Sequence, residues 1–484
     1  MRRSNLALSA AVVAATALCA AVPAQAAAPA TPYSISALTA KPGPGVGEVT
    51  LNWTHNGAKT TSFLLETGLN AFSKSASSSL PTSGRHATFF TFGKSARTAT
   101  LTTAQLAQAG AAVQTGNHLY FRLAAVNKDA SGATTKRYYP YLQAVLPRPQ
   151  APRAGSTVRI SSFNVRTARA LTDPRTWLER APDVARQIVA YKPHVVAVQE
   201  LGPGRADGVS GTLQGNIRQT DSLLKELDKV YGQKYDLVRT TPYVAPGTPT
   251  DSQGMRILYD NTRYRLASSC PETTSGRSYS SSCSFQVPIL STDSEEKRRR
   301  VAYAKFEDKA TGKKFWFVSV HLDARHSSTR STEVKYDALR ASQGRTVVNK
   351  MNELNTEKLP IIVGGDFNSW STSAVGNGAH DVLVDDGYYD TSAAVTRKNF
   401  QYKTINDWAL TMTAAAQGVG VRIDMLMVKG APGSSYFENV MKVTDENRPS
   451  DHNMIVSDIV PFASSTDTNS TTWREATLRG TSRG

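Results

Sequence analysis

The chain has 484 residues, of which 40% are hydrophobic, 20% charged and 8% aromatic, and its formal charge is +17. This length predicts roughly two or three domains, and the composition excludes both a wholly disordered chain and a protein with several membrane spans. The excess of 56 Lys and Arg over 39 Asp and Glu favours polyanionic partners such as nucleic acid or an acidic surface.

Residues 1–26 predict a secretory signal peptide. Arg2 and Arg3 form a basic head, residues 6–21 are an apolar run too short to span a membrane, and residues 24–26 (Ala-Gln-Ala) match a small-x-small cleavage site. We therefore expect cleavage after Ala26 and an extracellular protein. No later stretch of the sequence is long and apolar enough to cross a membrane.

Two cysteines remain after this cleavage. Cys19 is removed, and Cys270 and Cys283 are left as an even pair in an oxidising compartment. We predict a disulfide between them, which would stabilise the fold by roughly 3 kcal/mol in the chain-entropy model. The alternative is two free thiols.

Residues 31–147 predict an all-β domain. Short alternating segments such as 48–53 and 119–126 are separated by turns rich in Ser, Thr and Gly, a pattern typical of an immunoglobulin-like β-sandwich. We expect Trp53 in its core. The segments VTLNW and LYFRLAAVN resemble two strands of fibronectin type III domains, and this resemblance implies a domain of that kind.

Residues 148–156 are rich in proline and predict a semi-rigid linker to a second domain at 157–462. In that domain apolar strands alternate with amphipathic helices, which predicts an α/β fold with helices covering sheets. We expect helices at 182–192 and 333–354, with Gly344 as a weak point in the latter. A further helix would place four residues on one apolar face, namely Leu223, Leu224, Leu227 and Val230. Residues 463–484 predict a flexible tail.

Several apolar runs of the second domain end abruptly in a carboxylate, an amide or an imidazole. Buried strands expose polar groups only at their ends, so such groups can converge along one rim of a sheet sandwich. Each group alone also has a structural interpretation, as a turn, a helix cap or a strand-end histidine. Together they predict one site. Its members are Asn164, Glu200, His321, Asp366, Asn368, Asp424, Asp451 and His452.

The donor groups of this predicted site suit a hard divalent cation. Carboxylate and amide oxygens are the ligands of Mg²⁺, which keeps its remaining positions for water and phosphate. Mn²⁺ and Ca²⁺ are the alternatives. Zinc is less favoured, because the usual cysteine or multi-histidine spacing is absent.

The motifs SFNV, VQE, HLD, GGDFN, RID and SDHN, in this order, resemble those of the endonuclease/exonuclease/phosphatase superfamily, whose members include deoxyribonuclease I. The resemblance spans essentially the whole second domain. It implies a four-layered αββα sandwich and metal-assisted hydrolysis of a phosphoester.

The same resemblance implies a role for each residue. A metal group would consist of Glu200 with Asn164 and Asp451 beside it. Attacking water and phosphate would be oriented by Asp366 and Asn368. His452, held by Asp424, would act as a base or stabilise the pentavalent oxygens. His321 would contact the phosphate or assist departure of the leaving group.

One departure from the family concerns His321. Some nucleases of the family support this histidine with a glutamate, and the candidates for that role here are Gln253 and Asp323. Arg256 and Tyr259 are candidate substrate contacts, the alternative being strand residues that face solvent.

The basic run 295–300 is typical of a solvated face or a protected edge strand, with a nucleic-acid contact as the alternative.

From these features we expect a secreted, Mg²⁺-dependent phosphodiesterase that is a nuclease acting on extracellular DNA or RNA. The alternatives are a sphingomyelinase-like or other lipid or sugar phosphodiesterase or phosphatase, and a non-enzymatic surface-binding protein. A lipid enzyme would need an exposed aromatic cluster, and the clearest one is in the first domain, at Phe89, Phe90 and Phe92. We expect a monomer whose N-terminal domain binds a cell wall or another polymer.

Overall fold

The computed structural model describes residues 35–57, 59–68, 88–108, 119–149, 151–211, 213, 215–238, 254–268, 283–370, 375–431 and 433–462. The predicted signal peptide, the predicted tail and Cys270 lie outside these residues. Within the described ranges, no helix has the length and apolar character needed to cross a membrane.

The N-terminal part contains two antiparallel sheets. Trp53 is 2% exposed and its ring lies 5.5 Å from that of Phe63, so it belongs to the core between these sheets as predicted. The resemblance to fibronectin type III domains stays a prediction. The elements are β1 (Ile35–Pro42), β2 (Val49–His55), β3 (Thr60–Gly68), β4 (Thr88–Gly93), β5 (Thr98–Leu101), α1 (Thr103–Gln108), β6 (Leu119–Lys128), β7 (Thr134–Tyr138) and β8 (Gln143–Val145). The sheet orders are β1-β2-β5 and β4-β3-β6-β7, with β8 also on β6.

The second part alternates strands and helices. Its elements are β9 (Val158–Asn164), α2 (Trp177–Tyr191), β10 (Val195–Gln199), α3 (Gln219–Tyr231), β11 (Tyr235–Val238), β12 (Arg256–Asp260), β13 (Tyr264–Leu266), β14 (Ser284–Gln286), a 3₁₀ turn (Glu295–Lys297), β15 (Arg300–Asp308), β16 (Lys314–His321), α4 (Arg330–Leu354), β17 (Ile361–Asp366), α5 (Gly378–Asp385), β18 (Tyr389–Asp390), β19 (Ala394–Lys398), β20 (Asp424–Lys429), β21 (Ser434–Val440) and β22 (Met454–Ile459).

These elements form four layers. One seven-stranded sheet has the order β11-β12-β10-β9-β22-β21-β19, and the other has the order β13-β15-β16-β17-β20-β18 with β14 on β15. Ile160 and Ile362 belong to the core between the two sheets, whereas Val196 packs under α2 and α3, and Val363 packs under α4 and α5. The strands are apolar on both faces because both faces are covered. The predicted αββα fold is confirmed.

Helix α2 begins five residues earlier than predicted. The signal for this start is a capping box, in which the backbone N–H and the hydroxyl of Thr176 donate to the Glu179 carboxylate at 2.7 and 2.8 Å.

The predicted apolar face of α3 is wrong at its end, because Val230 is 42% exposed. The buried face instead includes polar residues nearer the start of the helix. Ser222, for example, accepts a hydrogen bond of 2.7 Å from the Trp177 indole N–H, which makes its burial tolerable.

Gly344 has a packing role that the sequence did not predict. Helix α5, which was not expected, lies against α4 at this position. A Cβ atom on Gly344 would lie 3.3 Å from the carbonyl oxygen of Ala379. The glycine therefore permits the close approach of the two helices, and helix α4 continues through it to Leu354.

Candidate active site

The sheet register brings the predicted residues to one rim. His321 pairs with Asp366 across β16 and β17, and Asp366 pairs with Asp424 across β17 and β20. In the facing sheet, Asn164 ends β9 next to Gln199, and Glu200 follows directly. The strand β22 begins just after His452 and lies antiparallel to β9. All eight predicted positions therefore lie at the same end of the sandwich.

Asn164 connects the two sheets at this rim. Its side-chain amide donates to Glu200 Oε1 and to Asp366 Oδ2, both at 3.2 Å. Its own oxygen accepts from the backbone N–H of Arg166 at 3.1 Å, and Glu200 Oε2 accepts from the backbone N–H of Thr167 at 3.0 Å. Two carboxylates from different sheets are thus held around one amide.

The turn that carries Glu200 is strained and closely packed. Glu200 has a φ of 59°, in the left-handed region that side chains rarely adopt. A Cβ atom on Gly254 would lie 2.7 Å from the carbonyl carbon of Glu200, so only glycine fits there. Strain of this kind concentrates at functional sites, and here it fixes a carboxylate at the end of β10.

Asp366, His452 and Asp424 form a buried chain of hydrogen-bonding groups. His452 Nδ1 lies 3.2 and 3.0 Å from the two carboxylate oxygens of Asp424, and its Nε2 lies 3.7 Å from Asp366 Oδ2. Burial opposes protonation, but the two carboxylates outweigh it and hold the pKa of His452 well above its usual value. Burial, with a contribution from Asp424, raises the pKa of Asp366 to about 7.

His321 lies in a contrasting environment. Its Nε2 is 3.5 Å from Asp366 Oδ2, while its Nδ1 is buried and has no hydrogen-bond partner among the described residues. Burial holds its pKa well below the usual value, and Arg299 and His452 add to the effect. The imidazole is therefore neutral at pH 7.

Neither predicted support for His321 is seen. Arg325 Nη2 lies 2.7 Å from Asp323 Oδ2. The Asp323 carboxylate therefore forms an ion pair with Arg325. Gln253 lies outside the described residues. The expectation that one of them substitutes for the family's glutamate is not confirmed for Asp323 and stays a prediction for Gln253.

Asp451 meets an arginine that the sequence reasoning missed. Arg166 Nη1 lies 3.3 Å from Asp451 Oδ2, and its Nε lies 2.9 Å from Asp173 Oδ2. Burial, with a contribution from Glu200, raises the pKa of Asp451. The sequence signal that could have identified Arg166 is its position two residues after Asn164. In the structure Arg166 has a left-handed φ of 61°.

Asn368 is fixed by its own turn. It has a φ of 49°, its backbone N–H donates to Asp366 Oδ1 at 3.0 Å, and its side-chain amide donates to the carbonyl oxygen of Leu322 at 3.2 Å. The Asp-x-Asn segment therefore ties the end of β17 to the end of β16.

The alternative interpretation of the two candidate substrate contacts, as strand residues that face solvent, is wrong. Tyr259 is 7% exposed and packs against Phe306 in the core between the sheets, and a substrate contact by this residue stays a prediction. Arg256 is 2% exposed and donates to the carbonyl oxygen of Met255, so it does not face solvent either. A phosphate contact by Arg256 stays a prediction.

Arg299 is a second site residue that the sequence reasoning missed. It lies in the basic run that precedes β15, and burial lowers its pKa against the opposing effect of Asp323, Glu200 and Asp366. Its pKa therefore responds to carboxylates of the rim. A run of four basic letters gives no sign of which residue does so.

Cys283 is 3% exposed. Because Cys270 lies outside the described residues, the disulfide stays a prediction.

The donor set fits a hard cation. Ligand atoms of Asp366, Asp424 and His452 lie within 4.8 Å of one another, and Glu200 shares the amide of Asn164 with Asp366. Burial is the main cause of the raised pKa values of Asp366 and Asp451, and neighbouring carboxylates add to it, so a divalent cation would stabilise the ionised carboxylates. The ion's identity is not fixed by these groups.

Comparison with known proteins identifies the family of this chain. The model of the Endonuclease/Exonuclease/phosphatase family matches residues 161–452. A Bacteroides thetaiotaomicron protein of this family is 18% identical, with 64% of this chain and 100% of that chain covered and a TM-score of 0.44. The mannosyl-6-phosphatase of the same organism is 19% identical, with 63% and 99% covered and a TM-score of 0.43.

A third solved structure, D. rerio TDP2 complexed with single strand DNA product, is 17% identical, with 63% and 99% covered and a TM-score of 0.39. No curated protein matches the chain. The family match spans more than half of the chain and includes every predicted site residue, and members of the family hydrolyse phosphoester bonds. The chain belongs to the endonuclease/exonuclease/phosphatase family.

Proposed function

We propose that the protein is a secreted, metal-dependent phosphodiesterase and that its substrate is nucleic acid. The observation that carries the proposal is the convergence of Glu200, Asp366 and His452 at one buried rim, with His452 held between two carboxylates. Phosphodiesters resist hydrolysis because their anionic oxygens repel a nucleophile, so a site must supply positive charge and a base.

Different residues of the rim supply the base, the positive charge and a neutral hydrogen-bond donor. Asp366, with a pKa raised to about 7, is suited to accept the proton of the attacking water at neutral pH. His452, kept protonated by Asp424 and Asp366, places a positive charge beside the phosphoryl oxygens. His321 is neutral, and its Nε2 can donate a hydrogen bond to a phosphoryl or leaving oxygen without adding charge.

The metal would be held by Glu200, with Asp366 on the other side of Asn164 and Asp451 nearby. A bound Mg²⁺ would neutralise phosphate charge and polarise the reacting phosphoester. The protein's own contribution is to orient the carboxylates, through Asn164 and the backbone of Thr167, before substrate arrives.

Charge favours nucleic acid over a neutral or zwitterionic substrate. The chain carries a formal charge of +17, and Arg166 and Arg299 place guanidinium groups close enough to act on the carboxylates of the rim. Basic surfaces bind the phosphate backbone and release counterions. Secretion is proposed from residues 1–26 and agrees with extracellular nucleic acid as the substrate.

The test uses the chain from residue 27 onward, incubated with plasmid DNA, RNA, sphingomyelin and bis(p-nitrophenyl) phosphate, with Mg²⁺ or with a chelator. We expect chelator-sensitive cleavage of DNA or RNA that is lost in Asp366→Asn and in His452→Ala. Matched controls are Glu353→Gln, on the exposed side of α4, and His55→Ala, in the N-terminal part. Release of choline phosphate alone would replace nucleic acid with lipid as the substrate. Cleavage that survives both site variants would overturn the assigned centre.

A further inference from the structure

A small cavity lies apart from the predicted catalytic residues, between the end of β19, the loop that follows it and the start of β20. Its walls include Ser392, Arg397, Phe400, Thr404, Arg422 and Asn439. The centre of a water-sized sphere can move within about 10 Å³ of this cavity, which is room for one small occupant.

Three polar atoms on the walls of this cavity are buried and unpaired. Ser392 Oγ, Arg397 Nη1 and Asn439 Oδ1 have no hydrogen-bond partner among the described residues. Ser392 is 3% exposed and Asn439 is 1% exposed. Buried polar groups without partners are costly, so the two donors, Arg397 Nη1 and Ser392 Oγ, indicate an occupant that accepts hydrogen bonds, whereas Asn439 Oδ1 is itself an acceptor.

The charge around the cavity is positive. Within the described ranges, Arg397 has no carboxylate at ion-pairing distance, and its guanidinium stacks on the Phe400 ring at 4.1 Å. The carboxylate of Asp390 is taken by Arg422, at 3.0 Å, and by His380, at 3.1 Å. Burial lowers the pKa of Arg397 to about 10, so the residue is still charged at neutral pH.

We propose that this cavity binds a single halide ion, which in an extracellular setting is chloride. The ion would accept hydrogen bonds from Arg397 Nη1 and Ser392 Oγ and would neutralise the arginine that lacks a carboxylate. A monatomic anion meets both the size of the cavity and the sign of the local charge.

The site has a structural link to the catalytic rim. Thr404 Oγ1 accepts from the backbone N–H groups of Ile423 and Asp424 at 3.1 and 3.2 Å, and Arg422 directly precedes Ile423. A bound ion would therefore brace the segment that holds Asp424 against His452.

The cavity also lies at the junction of the two parts of the chain. Val419, on its wall, packs with Tyr120 and Ala144 of the N-terminal part, and Phe400 packs against the same cluster. The ion would therefore stabilise this junction as well.

Water is the competing occupant of the cavity. A substitution at Asn439 distinguishes water from a halide. A water molecule could accept from Arg397 and donate to Asn439 Oδ1, whereas a halide can only accept. Asn439→Leu removes this acceptor, and it also removes the hydrogen bonds that the side-chain amide donates to the carbonyl oxygens of Asn399, Tyr402 and Lys403. We therefore expect a lower melting temperature in every salt and compare only the difference between chloride and gluconate within the variant.

The test measures the melting temperature of the chain from residue 27 onward in sodium gluconate, chloride and bromide at equal ionic strength. We expect chloride and bromide to raise it by roughly 2–4 °C over gluconate. The rise should persist in Asn439→Leu and in the surface control Arg345→Met, and vanish in Arg397→Met. Equal melting temperatures in all salts, or a rise that persists in Arg397→Met, would overturn the proposal.

Anomalous diffraction from bromide-soaked crystals of the unaltered protein gives a readout that does not depend on how the variants fold. A bromide peak beside Arg397 supports the site, and density without anomalous signal shows water and refutes it. Neither measurement uses phosphodiesterase activity, so the outcome is independent of the proposed function.

Discussion

The two histidines of the rim have opposite environments, although both lie within 4 Å of the same oxygen of Asp366. His452 lies 3.7 Å from that oxygen and has Asp424 behind it, whereas His321 lies 3.5 Å from it and has an unpaired Nδ1. The pKa of His452 is raised and that of His321 is lowered. One residue type thus supplies a cation on one side of a phosphate site and a neutral donor on the other.

The comparison indicates that Asp424, which lies behind the ring of His452 and adds to the effect of the shared Asp366, separates the states of the two histidines. A carboxylate at Nδ1 stabilises the imidazolium and fixes its orientation. Where no carboxylate faces Nδ1, as in His321, burial lowers the pKa and keeps the imidazole neutral. Variants that change these partners therefore test the division of work between the two sides.

The largest effect is expected from Asp424→Asn. This change removes the charge that keeps His452 protonated, so we expect kcat for bis(p-nitrophenyl) phosphate to fall by roughly 10²–10⁴. The measurement is steady-state kinetics at saturating Mg²⁺, with Asp228→Asn on helix α3 as the control. Unchanged kcat would show that Asp424 does not govern His452.

A smaller loss is expected on the neutral side. His321→Ala should lower kcat by roughly 10² through loss of one hydrogen-bond donor, and His321→Gln, which keeps a donor near the position of Nε2, should recover part of it. If His321→Gln were as inactive as Asp424→Asn, His321 would also act by proton transfer, and the contrast between the two histidines would fail.

Arg299→Met tests whether this arginine of the basic run, whose charge helps to keep His321 neutral, also contacts the phosphates of nucleic acid. We expect DNA affinity, measured in the Asp366→Asn background, to fall a few-fold, and the salt dependence of log affinity to become shallower by about one charge. Arg345→Met is the matched surface control. An identical salt slope in Arg299→Met would exclude a phosphate contact at this position.

The smallest effect concerns His194, a histidine outside the site that is also kept neutral. Burial, with a contribution from Arg263, lowers its pKa from 6.5 to about 4. The unfolded chain therefore binds more protons between pH 6.5 and 4, so stability is present above this window and is lost as the pH falls through it.

His194→Asn should make the free energy of unfolding less dependent on pH across that window. Asparagine removes the titrating ring but can still accept from the backbone N–H of Arg159, as His194 Nδ1 does at 2.9 Å. Denaturant unfolding at several pH values measures this slope. A slope equal to that of the unaltered protein would show that His194 is not the titrating group.

Local patterns were sufficient to predict helices that cover sheets and the convergence of the site, whereas the four-layered arrangement was implied by the family resemblance. Apolar runs that end in polar groups indicate buried strands, and parallel neighbours such as β16 and β17 necessarily place their ends together. The states of the two histidines could not be predicted in the same way. They depend on which side chains lie behind each ring, and those come from distant parts of the chain.

The same limit explains the residues that were missed or misplaced. Arg299 cannot be told from its basic neighbours by residue type, and Tyr259 differs from a solvent-facing strand residue only because a second sheet covers it. Helix α5 has eight residues, too few for its periodicity to stand out, and Gly344 acquires its role only when that helix packs against it.

The in-register row formed by His321, Asp366 and Asp424 has an evolutionary consequence. The three groups are anchored in adjacent strands whose alignment is dictated by the interior. We therefore expect substitutions in the surrounding loops to change what the protein binds without moving these groups, which makes loop grafting a route to altered specificity.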